Sequence, residues 1–275
     1  MEWNEMTVQI GDDFDLDKIL ESGQCFRPRK QADGWYRFVS GQRLLYLRPQ
    51  GGGAYAVRCE PGQWESFWHG YFDLDRSYAA LRGRLDGRDG FLQRAMEYGR
   101  GIRVLRQDEW EMLTTFIVSQ RKSIPAIRTA VELLAERFGK PLGTDAEGTV
   151  YAFPTPESLC RAGEQALQQC GLGYRTRYVL HAAQQAADGT LNMKALEALP
   201  DEALFARLME LDGVGKKVAN CVCLFGYGRV GRVPVDVWID RLIREEFGGH
   251  DPFPQFGQEA GIVQQYLFFY KRSIG

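Results

Sequence analysis

The sequence predicts an α+β fold, with an antiparallel β-sheet in the first 75 or so of its 275 residues and a mostly α-helical body after it. Three observations predict this. Short runs rich in aromatic and β-branched residues crowd the first 60 positions, separated by turn residues. Helical periodicity of apolar residues takes over beyond Tyr71-Phe72-Asp73-Leu74-Asp75. Finally, residues 202–226 contain two helical patterns joined by Gly213-Val214-Gly215. The expected division is a sheet domain at 1–75 and a helical domain at 76–275.

In the sheet region the strand candidates are Trp35-Tyr-Arg-Phe-Val39, Arg43-Leu-Leu-Tyr-Leu47 and Ala54-Tyr-Ala-Val-Arg-Cys59, with Gly51-Gly52-Gly53 as a turn. Ahead of them, Ser22-Gly-Gln-Cys-Phe-Arg27 reads as a turn. Helices are expected over Ser77–Leu85, Gly90–Tyr98 and Asp108–Val118, the last with Asp108 positioned to cap it. Gly171-Leu-Gly-Tyr174-Arg175 reads as a glycine turn feeding a helix from Tyr178 to Ala187, and Phe256–Tyr270 has helical spacing that puts Gln264 and Phe268 on one face.

The hairpin region is the most informative stretch. Leu204, Leu208 and Leu211 recur at helical spacing before the turn, and Val218, Cys221, Val222 and Phe225 do so after it. Gly213 and Gly215 read either as a tight interhelical turn or as a site that leaves amides bare for a phosphate. Lys217 and Cys221 lie four apart, beside the apolar stripe. A lysine in that position is partly desolvated, which favours the neutral, nucleophilic amine, or else it snorkels to water. Asp236 is a lone carboxylate between Val233-Pro-Val235 and Val237-Trp-Ile239, and it reads as a helix N-cap, a functional carboxylate or both. As a cap it would hold negative charge ready to stabilise a cation.

Glycine hairpin, following lysine and the aspartate of Val-Pro-Val-Asp together resemble the helix-hairpin-helix DNA glycosylase superfamily. GVGKKVANC with VPVDV is similar to its 8-oxoguanine DNA glycosylase/AP lyase branch. The resemblance implies that Lys217 attacks the sugar and forms a Schiff base while Asp236 stabilises the developing positive charge. It implies a base pocket made by Gly23, Cys221, Gln264 and Phe268: Gly23 offers its carbonyl to the N7 proton that only the oxidised base carries, Phe268 and Cys221 sandwich the base, and Gln264 meets its Watson–Crick edge. Tyr174 would wedge into the duplex and Arg175 would read the orphaned cytosine. Gly213 and Gly215 would hold backbone phosphate, and the hairpin carbonyls could take a monovalent cation; no other cofactor is implied. The chain also departs from the family pattern. Arg121-Lys122-Ser123 replaces an asparagine run that contacts the orphaned base, Trp238 replaces a histidine, Lys271 stands where an acid is usual, and Asp212 replaces a frequent proline. Arg121 is the candidate to contact the orphaned base or phosphate. Two rival readings are a glycosylase for alkylated purines and a non-catalytic DNA-binding module.

Composition bounds these readings. Hydrophobic content of 44% and charged content of 25% are those of an ordinary globular chain. A net charge of −2 and a pI near 6.0 give no global nucleic-acid signature. Basic residues do cluster locally, from Arg100 to Arg128 and from Arg229 to Arg244, as solvated faces commonly do. The six cysteines show no disulfide framework, zinc spacing or C-terminal four-cysteine iron–sulfur pattern. With no signal-peptide pattern and no membrane-length apolar run, the expectation is a cytoplasmic monomer acting on damaged double-stranded DNA and away from membranes.

Overall fold

The computed structural model describes residues 4–85 and 90–275. Five strands form an antiparallel sheet in the order β1-β5-β4-β3-β2: β1 (Asn4–Gln9), β2 (Arg29–Lys30), β3 (Tyr36–Ser40), β4 (Arg43–Gly51) and β5 (Ala54–Cys59). The three strands legible in the sequence are its centre. The edge strands and the short helix α1 (Leu16–Glu21), capped by Asp15, lack a strong pattern of their own and are held by tertiary pairing.

Every residue of β3 is buried, because both faces of the sheet are covered. On one face α1 and the aromatic segment Trp64–Phe72, which contains the short helix α2 (His69–Tyr71), pack on Phe38, Leu45, Leu47 and Val57. The other face carries Trp35, Val39, Leu44 and Tyr46 under a hairpin that the sequence reading did not anticipate, β6 (Pro141–Asp145) with β7 (Gly148–Tyr151). Asp145 fastens that hairpin to the sheet, accepting from Arg37 Nη1 at 2.8 Å and Tyr46 Oη at 3.0 Å.

The helical body comprises α3 (Tyr78–Leu85), α4 (Gly90–Tyr98), α5 (Glu109–Ser119), α6 (Ile124–Phe138), α7 (Pro156–Gln168), α8 (Thr176–Ala187), α9 (Met193–Leu196), α10 (Asp201–Met209), α11 (Lys216–Phe225), α12 (Val237–Glu246) and α13 (Ala260–Ile274). Its axis is α5, buried along most of its length and capped as expected, with Asp108 Oδ1 accepting from Glu111 N at 2.8 Å. Arg103 joins the sheet to the helices. Completely buried, it donates to the carbonyls of Phe72 (2.8 Å), Asp13 (3.0 Å), Arg76 (2.6 Å) and Asp73. Most of the two basic clusters is consumed in this way. Arg100 pairs with Asp13, Arg106 with Glu197, Arg229 with Asp201, Arg232 with Glu202, Arg241 with Glu245 and Arg244 with Asp240, so those residues form no basic face.

Candidate active site

The hairpin consists of α10, a turn and α11. Leu204, Leu208 and Leu211 on one arm and Val218, Cys221, Val222 and Phe225 on the other are buried, as their spacing required. The two glycines differ in role. Gly213 has φ +76°, and a Cβ there would lie 2.4 Å from the Tyr178 ring, so conformation and close approach both demand glycine. Gly215 has ordinary φ and open space around it; it is the N-cap of α11 and has no side chain to shield the helix's first amides. The Gly213 carbonyl is already occupied, accepting from Gln120 Nε2 at 2.9 Å.

In the first turn of α11, half-buried Lys217 carries its Nζ 5.0 Å from the centre of the Phe116 ring, which α5 supplies. Its neighbour one turn on, Cys221, is buried within hydrogen-bond reach of the lysine. Burial pushes the Cys221 thiol up to about 11, outweighing the pull of Lys217, so the sulfur is an uncharged packing group and no nucleophile at neutral pH. Asp236 caps α12, its Oδ1 accepting from Trp238 N and Ile239 N, both at 3.0 Å. The carboxylate also lines a cleft.

That cleft, about 960 Å³, lies between the end of α1, the start of α12, the loop after α5 and α13. Lys217, Asp236, Gly23, Phe268 and Arg121 all line it. Gly23 is in the left-handed region at φ +80°, with an imagined Cβ only 3.0 Å from Phe268 Cε1. Cys221 and Gln264 lie beneath the surface. The Gln264 amide is engaged at both ends, Nε2 donating to the Pro234 carbonyl at 3.2 Å and Oε1 accepting from Gln265 Nε2 at 2.8 Å. It thereby braces the strand-like segment that delivers Asp236. Lys271 does not enter the cleft; it is buried against α12, 2.8 Å from Glu245 and 2.6 Å from Glu246.

One side of the cleft continues into a three-loop surface. Gln120 joins the hairpin through Gly213, Lys122 Nζ donates to the Gly171 carbonyl at 2.6 Å, and Arg175 donates to the Gln120 and Leu172 carbonyls. Arg175 is therefore buried, with its guanidinium 4.4 Å from the Tyr174 ring centre, while Tyr174 is half exposed. Arg121 on the rim has φ +50°, an unusual value for a side-chain-bearing residue. Sequence reasoning passed over Phe26, Phe116 and Arg272, which also line the cleft. The aromatics read as core; Arg272 could have been found from its place four residues after Phe268. Among the described residues no group of His, Cys, Asp and Glu could hold a metal ion, and no helix is long and apolar enough to cross a membrane.

Comparison with known proteins identifies the family. Residues 7–113 match the family described as 8-oxoguanine DNA glycosylase, N-terminal domain, and residues 114–255 match the HhH-GPD superfamily of base excision DNA repair proteins. An N-glycosylase/DNA lyase of Saccharomyces cerevisiae is 37% identical over 160 residues, a match that spans 54% of this chain and only 42% of the yeast protein. The N-glycosylase/DNA lyase OGG1 of Arabidopsis thaliana is 32% identical over 279 residues, covering 92% of this chain and 76% of the plant protein. The crystal structure of an 8-oxoguanine glycosylase/lyase from Clostridium acetobutylicum, in its apo form, superposes with a TM-score of 0.89 at 30% identity, covering 98% of each chain.

Proposed function

Because the chain belongs to the 8-oxoguanine DNA glycosylase family of the HhH-GPD superfamily, we propose that it excises 8-oxoguanine from duplex DNA and then cleaves the abasic site by β-elimination. The observation that carries this reading is the joint presence of Lys217 and Asp236 with Gly23 and Phe268 on one cleft. A nucleotide must leave the duplex to enter such a cleft, at an unstacking cost of a few kcal/mol.

In the proposed reaction the neutral Lys217 amine attacks C1′ as the bond to N9 breaks, and the base departs with the electron pair and takes up a proton. Ring opening gives an imine between C1′ and Lys217. Loss of a C2′ proton then expels the 3′ phosphate, and water releases the lysine. Asp236 supplies negative charge beside the sugar as it becomes oxocarbenium-like. The chemistry uses the protein's own amine and calls for no cofactor. The Gly213 carbonyl accepts from Gln120, so a monovalent cation bound through the hairpin carbonyls would share that oxygen with Gln120 or take its neighbours.

Recognition follows from the walls. The base lies on Phe268 with its N7 proton at the Gly23 carbonyl, and Cys221 backs the opposite side. Gln264 meets the Watson–Crick edge once its amide exchanges the Pro234 carbonyl for the base. Tyr174 is the wedge. Arg175 reads the orphaned cytosine after releasing Gln120, and Arg121 stands where it can meet that base or a phosphate. The amides at Gly215 and the glycine turn at Gly213 seat the backbone.

Borohydride trapping on a duplex carrying 8-oxoguanine tests the proposal. Wild type gives a covalent adduct, and Lys217→Gln gives none. Equal adduct from the two proteins, or release of 3-methyladenine in place of 8-oxoguanine, would overturn it.

A further inference from the structure

Among the described cations on the cleft wall, the proposed reaction leaves Lys122 and Arg272 unused; Lys122 is held by the Gly171 carbonyl, whereas Arg272 keeps a free donor. It follows Phe268 by one helical turn on α13, and its guanidinium carbon lies 5.4 Å from the centre of the Phe268 ring. Nη2 donates to the Glu21 carbonyl at the end of α1, which fixes the plane of the group. Nη1 is buried and has no hydrogen-bond partner. It lies 3.1 Å from where a Cβ on Gly23 would be, so this bare donor sits beside the glycine expected to meet N7. Burial holds the Arg272 pKa below the usual arginine value, with nearby Arg128 adding to the effect and Glu21 and Asp236 opposing it. The group is nevertheless a cation at neutral pH, in a place short of water.

A buried, unpaired charged donor is costly unless something arrives to accept from it. On an 8-oxoguanine lying against Phe268 with N7 at Gly23, the exocyclic atoms on either side of N7 are the carbonyl oxygens O6 and O8. We infer that Arg272 reads this edge of the flipped base, its Nη1 donating to a carbonyl oxygen next to N7. The inference rests on the proposed base-excision reading and adds a residue to it. Negative charge builds on the base as the C1′–N9 bond breaks, so the contact strengthens toward the transition state and acts on rate as well as on binding. It acts only while a base is present.

That last property supplies the test. Single-turnover excision is measured on a duplex with 8-oxoguanine opposite cytosine, and borohydride trapping on the same duplex with a preformed abasic site, for wild type, Arg272→Leu and the shorter, uncharged but polar Arg272→Gln. Both variants are expected to excise the base about tenfold or more slowly, the loss of one charge-assisted hydrogen bond, while trapping at the abasic site stays within about twofold. Unchanged excision in either variant overturns the inference, as does an equal fall in both assays, which would mark a merely structural arginine. A wild type inert in both assays removes the base-excision reading itself. If Arg272→Leu folds poorly, Arg272→Gln is decisive by the same criteria.

Discussion

Replacing Gly23 by alanine tests the pocket wall at its tightest point. Gly23 adopts φ +80°, a region that costs a residue with a Cβ about 1–2 kcal/mol. The new methyl would also sit 3.0 Å from Phe268 Cε1 and 3.1 Å from Arg272 Nη1, both side-chain atoms that can yield by a few tenths of an ångström. That crowding adds about 1 kcal/mol, the low end of overpacking penalties. The total, about 2–3 kcal/mol, lowers the melting temperature by about 4–5 °C in a chain of this size. The relief comes from pushing Phe268 and Arg272 off the wall, which misplaces the base. Excision of 8-oxoguanine should therefore fall about tenfold or more, whereas trapping at a preformed abasic site, which depends on Lys217 and needs no base, should survive. Differential scanning calorimetry and the two gel assays measure these effects. An alanine variant that melts within about 1 °C of wild type and excises at the wild-type rate would refute the reasoning.

Two further predictions concern the scaffold. Arg103→Leu strands the carbonyls of Phe72, Asp13, Asp73 and Arg76 in the interior; at about 1 kcal/mol or more each, denaturant unfolding should show a loss of about 4 kcal/mol or more. Glu111 is buried 3.8 Å from Arg27, and burial raises its pKa from 4.5 to about 7. Below about pH 4.5 the carboxyl is protonated in both folded and unfolded chains. As pH rises from there to about 7 only the unfolded chain releases the proton, so this group subtracts up to about 3 kcal/mol of stability across that window. Unfolding free energies of Glu111→Gln should lack that decline, and identical pH profiles for variant and wild type would exclude it.

The helical hairpin was legible because its signals are local: apolar spacing on both arms, glycines between them, and a lysine in the first turn of the second arm. The same holds for the three central strands and for the caps at Asp108 and Asp236, where one carboxylate meets amides two or three residues away. The β6–β7 hairpin was not legible. Pro141 and Gly143 are poor strand formers, and the segment is held by Asp145 reaching Arg37 and Tyr46 across about 100 residues of sequence. Arg103 misled for a related reason, since sequence counts its charge but cannot see the four carbonyls that converge on it.

The residue types of the candidate site were determined by sequence, because a nucleophile, a charge-stabilising acid and a glycine turn each need particular chemistry. Which of them share a surface was decided by tertiary structure alone. Gly23 from the end of α1 and Phe268 from the last helix meet across more than 240 residues and line one cleft with Lys217 and Asp236. Gln264 is turned under that surface to satisfy its amide, Arg175 is turned inward onto Gln120, and Arg272 is left with a bare donor at the wall. Spacing along a chain can say which face of its own helix a side chain occupies. Its partner depends on packing between elements, and a buried polar group takes whichever acceptor that packing brings within reach.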